Sequence, residues 1–138
     1  MKLAVSIWND LVAPVFDVSG RIMVVQAASG RIETREHHDL SGLDGLARIR
    51  RIAALDIEVL VCGAVSRLCH DLLLAWGIRV IACVSGRVDS ILSALLSGQR
   101  DIQDFFMPGC PQSYLTHNTK FLAYLANALM RINPPRHV

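Results

Sequence analysis

The sequence predicts a single α/β domain built on a mixed five-stranded sheet of order 3-2-1-4-5, with flanking helices and an extra C-terminal helix. Three observations carry this. Residues 57–66, Ile-Glu-Val-Leu-Val-Cys-Gly-Ala-Val-Ser, form a short apolar, β-branched run that breaks at a glycine, the signature of a parallel strand covered on both faces and followed by a helix. Upstream lie strand-like segments joined by short turns, and downstream lie strand–helix units long enough for crossovers. Right-handed crossovers then set the fourth strand parallel to the first, with the fifth outside it. The 138 residues match one domain of roughly 100–150 residues.

Leu3–Ile7 reads as the first strand, and Asn9-Asp10 with Pro14 marks the loop that leaves it. Val12, Val15, Phe16 and Val18 make that loop apolar, so it is expected to fold over the core or line a pocket. Arg21–Ala27 supplies the second strand. Ala28-Ser29-Gly30 turns it into a third, Arg31–Glu36, whose charges mark an edge strand. Ser41 with Asp44 three residues on reads as a capping box. Leu43, Leu46, Ile49 and Ala53 then take the buried face of a helix and Arg48, Arg50 and Arg51 the outer one.

After the central strand, Val65, Leu68, Cys69, Leu72, Leu73 and Trp76 recur at helical spacing, and Gly77 reads as the residue just past the helix end. Ile78–Val84 is the next strand. Val88, Ile91, Leu92, Leu95 and Leu96 follow on one helical face, ending before Gly98. An irregular stretch, residues 99–116, leads to a last helix from Asn118 to Ile132, stopped by Pro134-Pro135 and apolar over Phe121, Leu122, Leu125, Ala128 and Leu129. The topology is ribonuclease H-like. It divides into residues 1–98 as the core domain and 99–138 as a tail and helix packed on that domain or on a partner.

A net charge of +2 with scattered arginines argues against nucleic-acid binding. No segment reaches the ~20 apolar residues of a membrane span, and the Leu3–Trp8 run is too short for a signal-peptide core, so a cytoplasmic protein is expected. A hydrophobic share of 52% against 19% charged is high for a small domain; a homodimer or another partner covering part of the surface accounts for it. Four irregularly spaced cysteines, Cys62, Cys69, Cys83 and Cys110, read as free thiols rather than a disulfide framework.

Parallel strands deliver their ligand sites to their carboxyl ends, which singles out Cys62, Gly63, Ser66 and Arg67 after the fourth strand and Cys83, Ser85, Gly86 and Arg87 after the fifth. Two helix starts flanked by arginines suit an anion held without ligation. Cys62, Cys83 and Cys110 are the candidate soft metal ligands, against the plain alternative that a buried cysteine is a small hydrophobe. Cys69 and His70 are adjacent, and no C-x-x-C pair occurs, so a structural zinc site lacks support. His70 is assigned with Arg67 and Asp71 to the outer face. Catalysis is poorly supported: Leu3–Ile7 has no carboxylate for a metal, Asp10 and Asp17 read as turn formers, and no phosphate-binding or nucleophile-elbow motif is present.

Three stretches carry a resemblance to a known family: Lys2–Ser6 with Ala13-Pro14-Val15-Phe16-Asp17-Val18, then Asp56–Ser66, then Gly77–Ile81 with Val84–Asp89 and Leu92–Gly98. In order and spacing they resemble the dinitrogenase iron-molybdenum cofactor biosynthesis proteins, the small carriers and accessory domains of nitrogenase cofactor assembly. The ending Phe106-Met107-Pro108-Gly109-Cys110 is similar to a tail seen in some members. The resemblance implies a non-catalytic ribonuclease H-like carrier of an iron-sulfur or iron-molybdenum cluster species, with Phe16 in its first loop, working with a metallocluster assembly or acceptor protein in nitrogen fixation. Many members have a histidine just before that phenylalanine, and here the place is Val15, so that ligand role does not transfer. The alternative is a cofactor-free interaction or regulatory module of the same fold.

Overall fold

The computed structural model describes residues 1–97 and 102–129. Its sheet is built from β1 (Lys2–Trp8), β2 (Leu11–Val12), β3 (Arg21–Ala28), β4 (Arg31–Asp39), β5 (Val59–Val61) and β6 (Arg79–Ile81). The order is β4-β3-β1-β5-β6, with the two-residue β2 folded back onto the end of β1. Apart from that addition, it is the predicted mixed sheet. β1 pairs antiparallel with β3 and parallel with β5, and β5 runs parallel to β6. Ser29 (φ 53°) and Gly30 (φ 74°) form the tight β3–β4 turn, whose left-handed residues match the twist of the strands they join. β4 is the edge, and it extends to Asp39, three residues past its predicted end.

Alternation sorts β1 between two cores. Leu3, Val5 and Ile7 join Met23, Val25, Val59 and Val61 under α3 (Val88–Leu96) and the end of α4 (Gln112–Leu129). Ala4 joins Ile22, Val24, Leu60 and Val80 under α1 (Gly45–Ala53) and α2 (Arg67–Ala75). α4 crosses from one core to the other over the free edge of β6. Met107, Cys110 and Tyr114, in and before its first turn, pack on the second core, while Phe121 and Leu125 enter the first. At the crossing, the buried Asn118 accepts from Ala82 N–H (2.9 Å) and donates to Ala82 C=O (2.8 Å), taking the place of a neighbouring strand. Arg79 stacks on the Tyr124 ring 3.7 Å from its centre and pins the same helix.

Several expectations need correction. α1 starts at Gly45, and Ser41 does not cap it; the Ser41 N–H instead donates to Asp39 Oδ1 (2.8 Å) in the preceding turn. Arg48 is buried, not outward, because its guanidinium donates to the loop carbonyls of Ser19 (2.6 Å) and Leu43 (3.1 Å) and lies over Phe16. Leu68 and Trp76, assigned to the inner face of α2, are 63% and 52% exposed, and Leu46 of α1 is exposed too. α2 buries Cys69 and Leu73 as read, and in addition His70, which was assigned to the outer face. Val15 and Val18 are exposed, whereas Val12 and Phe16 are buried as expected of the loop. The central strand and its neighbour are shorter than read, three residues each, and α4 begins six residues earlier than the predicted helix. Gly77 (φ 81°) does end α2, donating to Leu74 C=O while Ile78 donates to Leu73 C=O. Gly98, Ile132, Pro134 and Pro135 lie outside the described residues, as does the side chain of Leu129.

Candidate functional site

Because β5 and β6 are parallel neighbours, their carboxyl ends share one rim, and Cys62, Gly63, Cys83 and Ser85 stand on it. Pairing runs on past the strands: Cys62 N–H donates to Ile81 C=O (3.0 Å), Val84 N–H to Cys62 C=O (2.9 Å) and Cys83 N–H to Gly63 C=O (2.9 Å). Cys83 holds this geometry at φ 62°, a left-handed backbone that costs a non-glycine residue on the order of 1 kcal/mol or more.

The rim is crossed by other parts of the chain. Two segments fill it. The first loop lies across Gly63: Ala64 N–H donates to Pro14 C=O (2.9 Å), Phe16 N–H donates to Ala64 C=O (2.8 Å), and a Cβ on Gly63 would come within 2.3 Å of Ala13 O. The tail before α4 lies across Cys83–Ser85: Ser85 N–H donates to Phe105 C=O and Met107 N–H to Cys83 C=O, both at 2.7 Å. Gly86 (φ 125°) fits under the Phe105 ring, which a Cβ would approach to 3.2 Å. A cavity of about 400 Å³ among the described residues is lined by Trp8, Asn9, Arg21, His37 and Asp39 among others. None of the predicted site residues lines it.

Both helix starts are answered from within the chain. At α2, Ser66 caps the Cys69 N–H (3.2 Å), and the Asp17 carboxylate accepts from Ser66 N–H (2.9 Å) and from the Cys69 thiol (3.4 Å). Burial alone would raise the Asp17 pKa, but these hydrogen bonds and the Arg48 charge together hold it below the ordinary carboxylate value. A carboxylate of the chain thus sits where an anionic ligand was expected. At α3, Arg87 occupies the cap position and pairs with Asp10 (3.1 Å), while Val88 N–H donates to Asp10 C=O (2.9 Å). Arg67 and Arg87 both remain exposed on the rim's outer side.

Beneath the tail the donors are soft. Cys62 and Cys83 are buried, and Cys110 is half-buried against the same cluster, where its thiol interacts with that of Cys83. Burial raises the Cys62 thiol far above its normal range, with the field of Cys83 adding to it. Burial and the Cys83 contact push Cys110 up to about 12. Both are therefore protonated thiols at neutral pH. Beside them His70, 2% exposed, stacks on Tyr114 (4.2 Å between ring centres), whose hydroxyl reaches Val65 C=O (3.4 Å). His70 Nε2 has no hydrogen-bond partner, and burial followed by the neighbouring His117 lowers its pKa, keeping the ring neutral. Three thiols and an imidazole match the donor chemistry of iron-sulfur species. Their closed arrangement does not match it, since no three His, Cys, Asp or Glu side chains among the described residues are grouped to hold a metal ion.

Asp17, His70, Tyr114 and Asn118 are site residues that sequence reasoning missed. The Asp17 carboxylate reaches a helix 49 residues away, and His70 is covered by α4, so neither had a local signal. The polar Asn118 within an apolar helix face was the one available clue.

No protein-family model and no curated protein matches this chain. Solved structures do. The apo form of the orange protein from Desulfovibrio gigas is 28% identical, with a TM-score of 0.60 over 71% of this chain and 88% of that one. The protein PH0822 is 18% identical, with a TM-score of 0.68 over 72% and 91% of the two chains. A "putative dinitrogenase" from Methanocaldococcus jannaschii is 15% identical, with a TM-score of 0.60 over 72% and 90%. The chain shares their fold. No helix among its described residues is long and apolar enough to cross a membrane.

Proposed function

We propose that this chain is a non-catalytic binding or carrier protein for an iron-sulfur or iron-molybdenum cluster species, held beneath the segment that precedes α4. The reading rests on one observation above all: Cys62, Cys83 and Cys110 belong to one buried cluster at the strand ends, and Tyr114, packed on that cluster, carries the unpartnered His70 stacked on its ring. The fold likeness to the orange protein and to a protein described as a dinitrogenase supports it. Residues 1–98 form the carrier unit in this proposal, and 99–138 its cover, which packs on the same domain or, in a homodimer, across subunits. The cargo is received from and passed to a soluble assembly or acceptor protein in the cytoplasm.

Each of the chain's groups has a part. Lifting residues 105–110 breaks two backbone hydrogen bonds to the rim and uncovers the thiols. Exposed Arg67 and Arg87 offer positive charge to an anionic cargo, Arg87 once Asp10 releases it. Thiols must lose their protons to ligate, and their raised pKa values make that loss costly near neutrality, so loading climbs with pH and acid favours release. Anaerobic reconstitution with iron, sulfide and molybdate, followed by metal analysis between pH 6 and 9, tests this. Retained metal that rises with pH and drops several-fold in Cys110→Ser supports the carrier; metal-free protein at every pH overturns it.

A second reading has its own observation. The filled rim, together with exposed Leu68 and Trp76 on α2, favours a cofactor-free interaction module. A protein that binds no metal yet loses a partner when Trp76→Ser is introduced belongs to that class.

A further inference from the structure

We infer that Cys83 and Cys110 form a reversible disulfide that locks the tail over the strand-end rim. The inference builds on the carrier reading, since it assigns the control of access to that same site. Its basis is positional. Phe105–Met107 runs antiparallel to Cys83–Ser85, with two 2.7 Å hydrogen bonds and a bridge between Val84 and Phe106. The tail is thereby placed in register with Cys83. Pro108-Gly109, with Gly109 at φ 78°, then turns the chain back and delivers Cys110 to the cluster in which Cys83 lies.

The other two thiols are less available. Cys62 is fully buried, and Cys69 donates to Asp17. Cys110 alone among the four is half-exposed, so it meets an oxidant first. The step balances with a low-molecular-weight disulfide as oxidant. The Cys110 thiolate attacks one sulfur of that disulfide and expels a thiolate, leaving a mixed disulfide on Cys110. Cys83, losing its proton, then attacks Cys110 Sγ and expels the second thiol. Two protein thiols are oxidised, one external disulfide is reduced, and the transferred protons end on the two released thiols.

The left-handed backbone at Cys83 is consistent with this role. A glycine or asparagine would adopt φ 62° more readily, yet the chain carries a cysteine there, in the cluster against which Cys110 packs.

The test is to treat the folded, metal-free full chain with oxidised glutathione at pH 8.5, then map peptides without reduction. The expected product has lost two hydrogens, links Cys83 to Cys110, and reverts with a dithiol reductant. Hydrogen exchange at the Ser85 and Met107 amides should slow about tenfold in the linked form, because closing the loop suppresses lifting of the tail. A glutathione adduct that stays on Cys110, a link to Cys62, or unchanged thiols would each overturn the inference. Cys110→Ser should remain unlinked; if that variant does not fold, the wild-type peptide map decides alone. Metal loading of the reduced protein separates the two claims. A link that forms in a chain that never takes metal leaves the latch standing without the carrier, and metal uptake without the link does the reverse.

Discussion

The antiparallel and parallel halves of the sheet are held together in different ways. β4, β3 and β1 are nine, eight and seven residues long and pair along nearly their whole length, so that half is secured by its own ladder. β5 and β6 are three residues each. Their half is completed by groups borrowed from distant parts of the chain: the backbone of the loop at Ala13–Phe16 and of the tail at Phe105–Met107, and the side-chain amide of Asn118. A short parallel ladder leaves its continuing peptide groups in search of partners, and burial makes those partners obligatory. The candidate site lies where these borrowed segments meet.

That contrast can be broken most forcefully at Asn118. Replacing it with alanine leaves both polar groups of Ala82 buried and unpaired, which at 1–3 kcal/mol each should cost about 3 kcal/mol in a urea unfolding curve. A loss under ~1 kcal/mol would mean that the helix does not stand in for a strand. Gly63→Ala comes next. Its Cβ would press on the carbonyl of Ala13, and about 2 kcal/mol of overpacking is expected, visible as a lowered melting temperature and as faster amide exchange at Ala64 and Phe16. The smallest effect belongs to the other half. Arg35→Ala on β4 removes an exposed 2.9 Å pair with Asp89 and should change stability by less than ~0.5 kcal/mol in the same assay. If it matched the first two, the two halves would not differ in how they are held.

The sequence showed the sheet order clearly, because apolar runs, tight-turn residues and crossover handedness are local or topological signals. It also brought Cys62 and Cys83 to one rim by the same logic of parallel strands. The apolar first loop was expected over the core, but the bonds by which it and the tail dock on that rim were not legible. The first loop and the tail dock through backbone hydrogen bonds to Ala64, Cys83 and Ser85, and such bonds are largely indifferent to side-chain identity. Arg48 and His70 were assigned outward for their polarity. Arg48 is buried because two loop carbonyls and Phe16 receive its guanidinium. His70 is buried because α2 is covered by the sheet on one side and by Tyr114 of α4 on another, a two-sided burial that a single hydrophobic stripe does not encode. That same rotation of α2 leaves Leu68 and Trp76 in water.

The clasp of Asn118 on Ala82 also bears on how molecules of this chain tolerate crowding. A visiting strand seeking to extend the sheet at β6 would have to evict an amide that already makes both bonds there, so templated growth is left to the opposite border. At that border a second copy would bring Arg31, Glu33, Arg35 and Glu36 against its own array, and the antiparallel register centred on Glu33 would set Glu33 on Glu33 and Arg31 on Arg35.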